Sequence, residues 1–338
     1  MPTIADVAKA AGVSRSTVSY ALSGNRPISQ ETRDRIDAAI VELGFTVNAG
    51  ARALATSRTR VLALLSRFHA DEFPPAMLQY ILAVTEAARE HGYDTLMVTD
   101  TDGPGALRRV TSSNMVDGVV LLDVTHEDPR LDSLRAARQP GALVGLPGDT
   151  AGVDVFDLDF EASARCLVDH LHELGHRDIV LVTPPLHVYE RGGAYAWRFR
   201  DAALARAEQL GIRLDAHYGG SQHPGLEARL NEILDARHEA TALIVHNDAS
   251  IAVLPAVLRE RGISVPRDLS VVSLYARDFG RTFLLPYTAV ETSPDLLARE
   301  AVQHLIRRIG EPEAPPVVRL LPPELTRRDS TAPVTRPS

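Results

Sequence analysis

Short apolar runs alternate with helix-length amphipathic segments from residue 61 onward. The runs are VLALL at 61–65, DTLMV at 94–98, GVVLL at 118–122, ALVGL at 142–146, DIVLV at 178–182, TALIV at 241–245, LSVVSL at 269–274 and VVRLL at 317–321. Parallel strands need long crossovers and bury both faces, so they read as continuous apolar runs. The pattern therefore predicts an α/β architecture in which a parallel sheet is formed twice. No GxGxxG or GxxxxGK[ST] motif follows a run, so no nucleotide cofactor is expected.

The first sixty residues have a different pattern, that of three short helices. Thr3 precedes apolar residues at helical spacing that end at Gly12. Ser14 can cap a second helix, and Ser29 can cap a third helix that ends at Gly44. A helix, a glycine turn and a second helix form the outline of a helix-turn-helix, and a third helix can complete a small core.

Charge divides the chain at about the same place. The net charge is −8, yet residues 1–60 carry eight basic and five acidic side chains, and the remainder carries 28 basic and 39 acidic ones. This asymmetry favours a small anion-binding head on an acidic body, although chance variation over sixty residues explains it equally well. The second helix presents Arg15, Ser16, Ser19 and Tyr20, which can either reach base edges or form an ordinary solvated face.

The stretches TIADVAKAAGVSRSTVSYALSG and ISQETRDRIDAAIVELGFTVNAGARALAT resemble the DNA-binding headpiece of the lactose-repressor (LacI/GalR) family of bacterial transcription regulators. The resemblance implies that the helix after Ser14 lies in the major groove, with Arg15 and Ser16 reading bases and Ser19 and Tyr20 near bases or phosphates. Contacts to the phosphate backbone are implied for Thr3, Thr17, Asn25, Ser29 and Thr32. Tyr20 stands where relatives often carry arginine, so we expect a different preferred operator.

The segment NAGARALA at 48–55 resembles the hinge helix of the same family, which folds when two subunits meet on DNA. Gly50 lowers its intrinsic helicity by roughly 1 kcal/mol relative to alanine. Leu54 matches the leucine that enters the minor groove and kinks the operator, and the alternative is an ordinary core leucine. We also expect Ser14, Asn48 and Arg52 to contact DNA, together with Leu54.

The body resembles the effector domain of this family in the segments HGYDTLMVTD, VDGVVLLD, HLHELGHRDIVLV, RGISVPRDLSVVS and ELTRRDSTAP. The implied fold is an all-α headpiece followed by a periplasmic-binding-protein-like core of two Rossmann-like subdomains. We expect the headpiece at 1–47, a hinge helix and linker at 48–60, and an effector-binding and dimerisation domain at 61–330. Its subdomains are expected at about 61–160 with 290–318 and 161–289 with 319–330. The tail at 331–338 has no heptad, so no C-terminal coiled-coil tetramer is expected.

Two segments supply candidate effector contacts. Asn247 and Asp248 match an Asn-Asp pair of the family, and Asp248 can either accept hydrogen bonds from a ligand or cap the following helix. In RGGAYAWRFRDAA, Tyr195 occupies the position of an arginine that many relatives carry if Phe199 is the aromatic residue of the family's Gly-aromatic pair, and Arg191 and Arg198 are displaced alternatives. Tyr195 and Trp197 can stack on an apolar ligand face, or these side chains can be solvated arginines and core aromatics.

The remaining candidates lie elsewhere around the expected cleft. Phe73, Asp123 and Asp159 match positions near its mouth or crossover, although Asp123 can simply end its strand. Sugar-responsive relatives have Gly-aromatic-Asp-Asp after the strand LSVVSL, whereas this chain has Ser273 to Ala276, with Tyr275 as a candidate contact. Loss of the acidic pair disfavours a polyhydroxyl effector and favours a smaller or less polar ligand.

Motifs for catalysis and metal binding are absent from the sequence. The 12 His include no HExxH, and those of HLHELGH at 170–176 are predicted to be solvated at a helix end. The single Cys166 excludes an internal disulfide framework. We therefore expect no enzyme and no metal site. No secretory signal and no run of the roughly 20 apolar residues of a membrane span is present, so we expect a cytoplasmic protein.

The expected function is sequence-specific transcriptional regulation, as a repressor whose operator affinity is controlled by a small-molecule effector in the cleft. The expected partners are double-stranded operator DNA, the effector and a second copy of the chain, because two recognition helices must meet half-sites on successive turns of the duplex. The alternative is a periplasmic-type small-ligand-binding protein without DNA function.

Overall fold

The structure is a computed structural model that describes residues 2–23, 26–45, 56, 58–69, 74–99, 102–222, 225–280 and 286–334. Three helices form the headpiece: α1 (Ile4–Ala11), α2 (Arg15–Ser23) and α3 (Gln30–Leu43). Their apolar stripes enclose a core that includes Val7, Val18 and Ile36, each fully buried. Gly12 and Gly44 end α1 and α3 with left-handed backbone, as the sequence predicts.

The first sheet of the body is parallel throughout and has the order β11-β5-β4-β3-β1-β2. Its strands are β1 (Val61–Leu65), β2 (Asp94–Val98), β3 (Gly118–Leu121), β4 (Gly141–Val144), β5 (Asp154–Leu158) and β11 (Val318–Leu321). Leu62 and Leu64 pack on one face and Ala63 and Leu65 on the other, and all four are buried. Both faces are covered by helices, which are α4 (Pro74–Glu90), α5 (Gly103–Ser112), α6 (Leu131–Arg135) and α13 (Pro294–Gly310).

The second sheet has the order β12-β10-β9-β8-β6-β7, and β12 alone in it pairs antiparallel. Its strands are β6 (Asp178–Thr183), β7 (Arg213–Tyr218), β8 (Ala242–Val245), β9 (Ser270–Ala276), β10 (Thr288–Thr292) and β12 (Leu325–Thr326). The helices of this half are α7 (Phe160–Glu173), α8 (Leu186–Glu190), α9 (Ala194–Gln209), α10 (Gly225–Ala236), α11 (Asp248–Glu260) and α12 (Arg277–Gly280). The predicted fold class, a helical headpiece with two α/β subdomains, is confirmed.

The chain passes between the two sheets three times: after β5, after β10 and after β11. The predicted subdomain division places the second and third of these passages slightly too early in the sequence. Residues 318–321 form a strand that pairs with β5, so the return to the second sheet comes after Leu321 rather than at residue 318. Likewise, β10 belongs to the second sheet as far as Thr292, three residues beyond the expected end of this segment at 289.

Two expectations about the far end of the second subdomain are wrong. Residues 331–334 are not a separate tail, because the Ala332 amide donates to Ser270 Oγ at 3.1 Å and the Val334 amide to the Leu174 carbonyl at 2.9 Å. His170 and His176 are buried rather than solvated. His176 lies 2.9 Å from Thr241 Oγ1 and 3.2 Å from the Ala332 carbonyl, so it ties the C-terminal segment to the sheet.

In the described part of the chain, no helix has the length and apolar character needed to cross a membrane. The same residues contain no group of three His, Cys, Asp or Glu side chains that could hold a metal ion.

Candidate DNA interface and ligand cleft

The N-terminal end of α2 is held by a serine cap. Ser14 Oγ accepts the Thr17 amide at 3.1 Å and lies within hydrogen-bond distance of the Ser16 and Thr17 hydroxyls, at 2.7 and 2.8 Å. Val18 anchors the opposite side of the helix in the headpiece core. Arg15 and Ser16 are exposed beside the cap, on the surface that the sequence assigns to base reading. A helix fixed in this way presents its first turn as a rigid surface.

The predicted base-reading surface continues to Tyr20, whose side chain is 38% exposed. The guanidinium of Arg26 lies 5.8 Å from the centre of the Tyr20 ring, a cation–π contact. Ser19, on the same helix, is partly exposed. The Tyr20 position therefore has an arginine charge beside it, supplied by the loop after α2 instead of by the helix itself.

The residues predicted to contact phosphates lie at helix N-termini. Thr3 and Asp6 form a capping box on α1, with the Thr3 hydroxyl 2.8 Å from Asp6 Oδ2. Ser29 caps α3, and its hydroxyl lies 2.8 Å from that of Thr32. Thr17 belongs to the α2 cap. Helix N-termini attract phosphate through free amides and the helix dipole. Asn25, Asn48, Arg52 and Leu54 lie outside the described residues.

The carboxyl ends of the two sheets face one another across a cavity of about 270 Å³. Loops and strand ends after β1, β3, β4, β6, β8, β9 and β10 contribute to its wall. Ligands of open α/β sheets bind at these strand ends because the loops there diverge. Of the predicted effector residues, the cavity brings together Asp123, Arg191, Tyr195, Arg198, Asn247, Asp248 and Tyr275.

Asp123 does more than end its strand. It adopts a left-handed backbone with φ of 50°, and its Oδ2 accepts from Arg67 Nε at 2.9 Å. The buried Arg130 donates to the Asp123 carbonyl at 2.9 Å and to the Leu122 carbonyl at 3.0 Å. Burial raises the pKa of Asp123 in spite of the nearby arginines. The loop after β3 is therefore shaped by the buried Arg130, for which no sequence motif provides a signal.

Arg130 is held in turn by Asp128. Its Nε and Nη2 donate to the two Asp128 carboxylate oxygens at 2.9 and 2.7 Å, and both side chains are buried. Although burial opposes it, this pairing holds the pKa of Asp128 below its usual range. A fully hydrogen-bonded buried pair of this kind fixes the loop geometry.

Unlike the two ion pairs above, the pair of Arg198 and Asp157 crosses the cleft between the two halves of the body. Arg198 on α9 donates to Asp157 Oδ2 at 2.5 Å, and Asp157 lies near the end of β5 in the first sheet. The Asp157 oxygens also accept the Leu146 and Leu158 amides, at 3.0 and 2.9 Å. Burial raises the pKa of Asp157. Sequence reasoning missed Asp157, although the carboxylates that interrupt the apolar residues of DVFDLD are a usable signal.

Asn247 takes the capping role that the sequence left open for Asp248. Asn247 Oδ1 accepts the Ser250 amide at 2.8 Å, and Nδ2 donates to the Thr183 and Gly220 carbonyls at 3.2 and 3.0 Å. Asn247 thus caps α11 and ties three loops together. The capping alternative for Asp248 is wrong, because Asp248 is already the first residue of α11.

The Asp248 carboxylate borders the cavity, and no described residue hydrogen-bonds to it. Burial alone raises its pKa to about 7. Leaving a largely buried carboxylate without a hydrogen-bond partner is costly. A ligand that brings a hydrogen-bond donor or a positive charge would satisfy it.

Aromatic rings form the wall beside Asp248. Tyr195 lies 5.5 Å from Phe160 and 5.7 Å from His246, measured between ring centres. His246, which sequence reasoning missed, is buried against Phe199 at 4.2 Å. Burial lowers the pKa of His246 to about 3, so the ring is neutral near pH 7. This wall offers flat apolar surface to a ligand.

Three predicted cleft contacts are wrong or altered. Trp197 does not line the cavity and instead contacts His126 edge-on at 5.6 Å, because it faces away from Tyr195 and Arg198 on α9. Asp159 caps α7 through the Ala162 amide at 2.8 Å and does not line the cavity. Tyr275 borders the cavity, but its hydroxyl donates to the Tyr287 carbonyl at 3.1 Å. Phe73 lies outside the described residues.

Two family models match the chain. Residues 3–48 match the model described as bacterial regulatory proteins, lacI family, and residues 168–331 match that of the periplasmic binding protein-like domain. The first match covers the described headpiece helices, and the second covers most of the second subdomain with its crossing segments.

Relatives with assigned roles match over nearly the whole chain. The HTH-type transcriptional regulator CelR of Thermobifida fusca is 30% identical over 97% of this chain and 98% of its own length. The HTH-type transcriptional regulator PtxS of Pseudomonas plecoglossicida is 32% identical over 93% of this chain and 91% of its own.

Solved structures also match over nearly the whole chain. A CelR–cellobiose complex has 28% identity and a TM-score of 0.66, and covers 98% of this chain and 100% of its own. A lac repressor dimer bound to operator and an anti-inducer has 23% identity and a TM-score of 0.82, and covers 98% of this chain and 99% of its own. At that identity the lac repressor comparison supports the fold.

Proposed function

The chain belongs to the lacI family of bacterial regulatory proteins, and on that premise we propose that it is a homodimeric repressor. It binds operator DNA through the headpiece, and a small-molecule effector in the cleft controls its operator affinity. The observation that carries this proposal is the presence, in one chain, of a capped helix-turn-helix with exposed Arg15 and of a two-lobed cleft bordered by Asp248, to which none of the described residues hydrogen-bonds. A ligand-binding protein without DNA function would not need the first of these, and a catalytic role has no support from relatives that are transcriptional regulators.

DNA reading is assigned to α2. Arg15 and Ser16 stand exposed beside the Ser14 cap, and a guanidinium forks onto guanine more effectively than any other side chain. The cap hydroxyls of Thr3, Ser29 and their neighbours supply phosphate contacts that position the headpiece without reading sequence.

A second copy of the chain is the proposed protein partner. Leu78 and Leu82 lie one turn apart on the outer face of α4 and are 51% and 59% exposed, whereas Val84 and Ala87 on its inner face are buried. An apolar stripe on the surface of a charged domain is suited to burial in an interface. A dimer would also bring two recognition helices to two half-sites.

The effector is proposed to be smaller or less polar than a disaccharide. Tyr195 replaces an arginine of many relatives, the acidic pair after β9 is absent, and both Arg67 and Arg198 are already paired with carboxylates. Asp248 is left as the acceptor for one donor group of the ligand, and the rings of Tyr195 and Phe160 face its apolar part. CelR, by contrast, has been solved with cellobiose.

DNA binding is tested with the DNA upstream of the chain's own coding region. Fluorescence anisotropy compares the wild type with Arg15→Ala and with the matched control Arg35→Ala, which removes the same charge from α3. We expect Arg15→Ala to lose discrimination between this DNA and a scrambled fragment. Arg35→Ala should weaken binding to both fragments equally. Equal effects of both variants would contradict the assignment.

Effector binding is tested by a thermal-shift screen of small metabolites that includes cellobiose. A ligand that binds the folded state raises the apparent melting temperature by mass action. Asp248→Asn should abolish the shift of any hit that also releases the protein from DNA. A strong response to cellobiose, unchanged in Asp248→Asn, would contradict the proposed ligand class and anchor.

A further inference from the structure

The neighbouring strands β1 and β3 are tied together at both of their ends by carboxylates. They pair in parallel register from Leu62 with Gly118 to Leu65 with Leu121. At the carboxyl ends, Arg67 pairs with Asp123 in the wall of the cleft. At the amino ends, where the chain arrives from the headpiece, the corresponding carboxylate is Asp117.

Asp117 holds the last residues before β1. Its Oδ1 accepts the Thr59 amide at 2.7 Å and the Thr59 hydroxyl at 2.9 Å, and its Oδ2 accepts the Arg60 amide at 3.0 Å. Main-chain bonds continue this contact, because the Asp117 amide donates to the Val61 carbonyl at 2.8 Å. Both oxygens of one carboxylate thus hold consecutive amides more than fifty residues earlier in the chain.

Arg60 is held in a conformation that a free chain rarely adopts. Its φ of 59° is in the left-handed region, which non-glycine residues seldom occupy. The Arg60 carbonyl accepts the Asp94 amide at 2.9 Å, and its guanidinium lies 5.1 Å from the centre of the Tyr93 ring. Such a conformation persists only where its surroundings determine it, and Asp117 provides the charge-assisted part of those surroundings.

We propose that Asp117 is a positioning residue for DNA binding: it fixes the direction in which residues 58–60, which we call the arm, leave the body towards the headpiece, and β3 connects it to the ligand cleft. This inference rests on the proposed function. An effector that contacts the Arg67–Asp123 pair in the cleft wall acts on one end of β3, and Asp117 holds the arm at the other end, only four strand residues away. The arms of two subunits then reach half-sites at one defined spacing.

The full-length protein tests this with Asp117→Asn. The amide is similar in shape, but its NH2 group faces a backbone N–H, so at least one of the two amide contacts is lost. The matched control is Asp94→Asn, an exposed carboxylate at the same edge of the sheet whose side chain receives no hydrogen bond from the described residues. Thr59→Val, which removes only the hydroxyl contact at 2.9 Å, serves as a milder second variant.

The first measurement is limited trypsin cleavage after Arg58 and Arg60, followed by mass spectrometry. We expect cleavage at these bonds to be about ten-fold faster in Asp117→Asn, the size expected for losing a hydrogen bond to a charged group. Asp94→Asn should match the wild type, and Thr59→Val should fall between them. Unchanged cleavage in both Asp117→Asn and Thr59→Val would overturn the proposed hold on the arm.

The second measurement is the affinity for the upstream site relative to the same site with one base pair inserted between the half-sites. A merely structural role weakens both affinities equally and leaves their ratio unchanged, which would overturn the positioning role. We expect the ratio of the affinity for the upstream site to that for the lengthened site to fall about ten-fold in Asp117→Asn and to be unaltered in Asp94→Asn. If the wild type binds neither DNA, the proposed function fails and the positioning role fails with it, while the cleavage result still decides whether Asp117 holds the arm.

Discussion

Asp248→Asn should make the ligand-free protein more stable while weakening its response to effector. Burial raises the pKa of Asp248 from 3.8 to about 7, and each unit corresponds to about 1.36 kcal/mol. The full shift therefore lowers the free energy of unfolding by roughly 4 kcal/mol above pH 7. Because the carboxylate borders a cavity that water can enter, we take about half of it. The lost attraction to the N-terminus of α11 subtracts about 0.3–1 kcal/mol, which leaves a gain of about 1–2 kcal/mol.

The pH dependence of this stabilisation follows from the raised pKa of Asp248. Between pH 3.8 and about 7 the folded protein holds a proton at Asp248 that the unfolded chain has released. The cost of Asp248 is therefore fully present above pH 7 and fades as the pH falls towards 4. The stabilisation by Asp248→Asn should be largest at pH 8 and less than half as large at pH 5.

The assay is thermal and urea unfolding followed by the fluorescence of Trp197, the single tryptophan, which lies in the second subdomain. Asp295→Asn is the matched control, since Asp295 is an exposed carboxylate in the first turn of α13. We expect Asp248→Asn to raise the melting temperature by roughly 3–6 °C at pH 8 and Asp295→Asn to lower it slightly. No gain at pH 8, or an equal gain at pH 5, would refute the reasoning.

Four further outcomes are expected. Arg15→Ala should cost about 1–3 kcal/mol of discrimination between operator and scrambled DNA, measured by anisotropy. Leu54→Ala should reduce operator bending in a fluorescence-transfer assay, and an unaltered bend would contradict the entry of Leu54 into the minor groove. Arg130→Met should destabilise the body by about 3–5 kcal/mol in urea, because it leaves the Asp128 carboxylate buried without its cation; a change below 1 kcal/mol would contradict this role. His246 has its pKa lowered from 6.5 to about 3, so its contribution is complete above pH 6.5 and is lost as the pH falls towards 3; His246→Phe should therefore make unfolding less sensitive to acid.

The regular elements were largely predictable from the sequence because each buries a simple pattern. Helices of the headpiece follow Thr3, Ser14 and Ser29, whose hydroxyls cap them, and the apolar runs of the body became strands. The missed strands are those whose apolar pattern is interrupted. β5 contains Asp154 and Asp157, and β7 at the sheet edge reads RLDAHY. Such strands are recognisable only once their carboxylates are seen to have partners.

The position of the cleft was predictable from the sequence, but the hydrogen bonds and ion pairs of its lining residues were less so. The resemblance located Asp123, Tyr195 and Asp248 at its wall, since strand ends and their loops keep their positions in this fold. It could not show that Asn247 is used for three loop contacts or that Arg198 is paired with Asp157 across the cleft. Pairings between residues far apart in sequence depend on the packed structure, and no local pattern encodes them.

We propose that DNA recognition lies in the headpiece and ligand recognition in the body. The most direct test compares the intact chain with one that begins at Arg58, which keeps the Asp117 contacts, on the upstream DNA at low salt. We predict that the intact chain binds this DNA and not a scrambled fragment, whereas the shortened chain binds neither and keeps its thermal response to effector. Equal binding by both chains, or no binding by the intact chain, would contradict the claim.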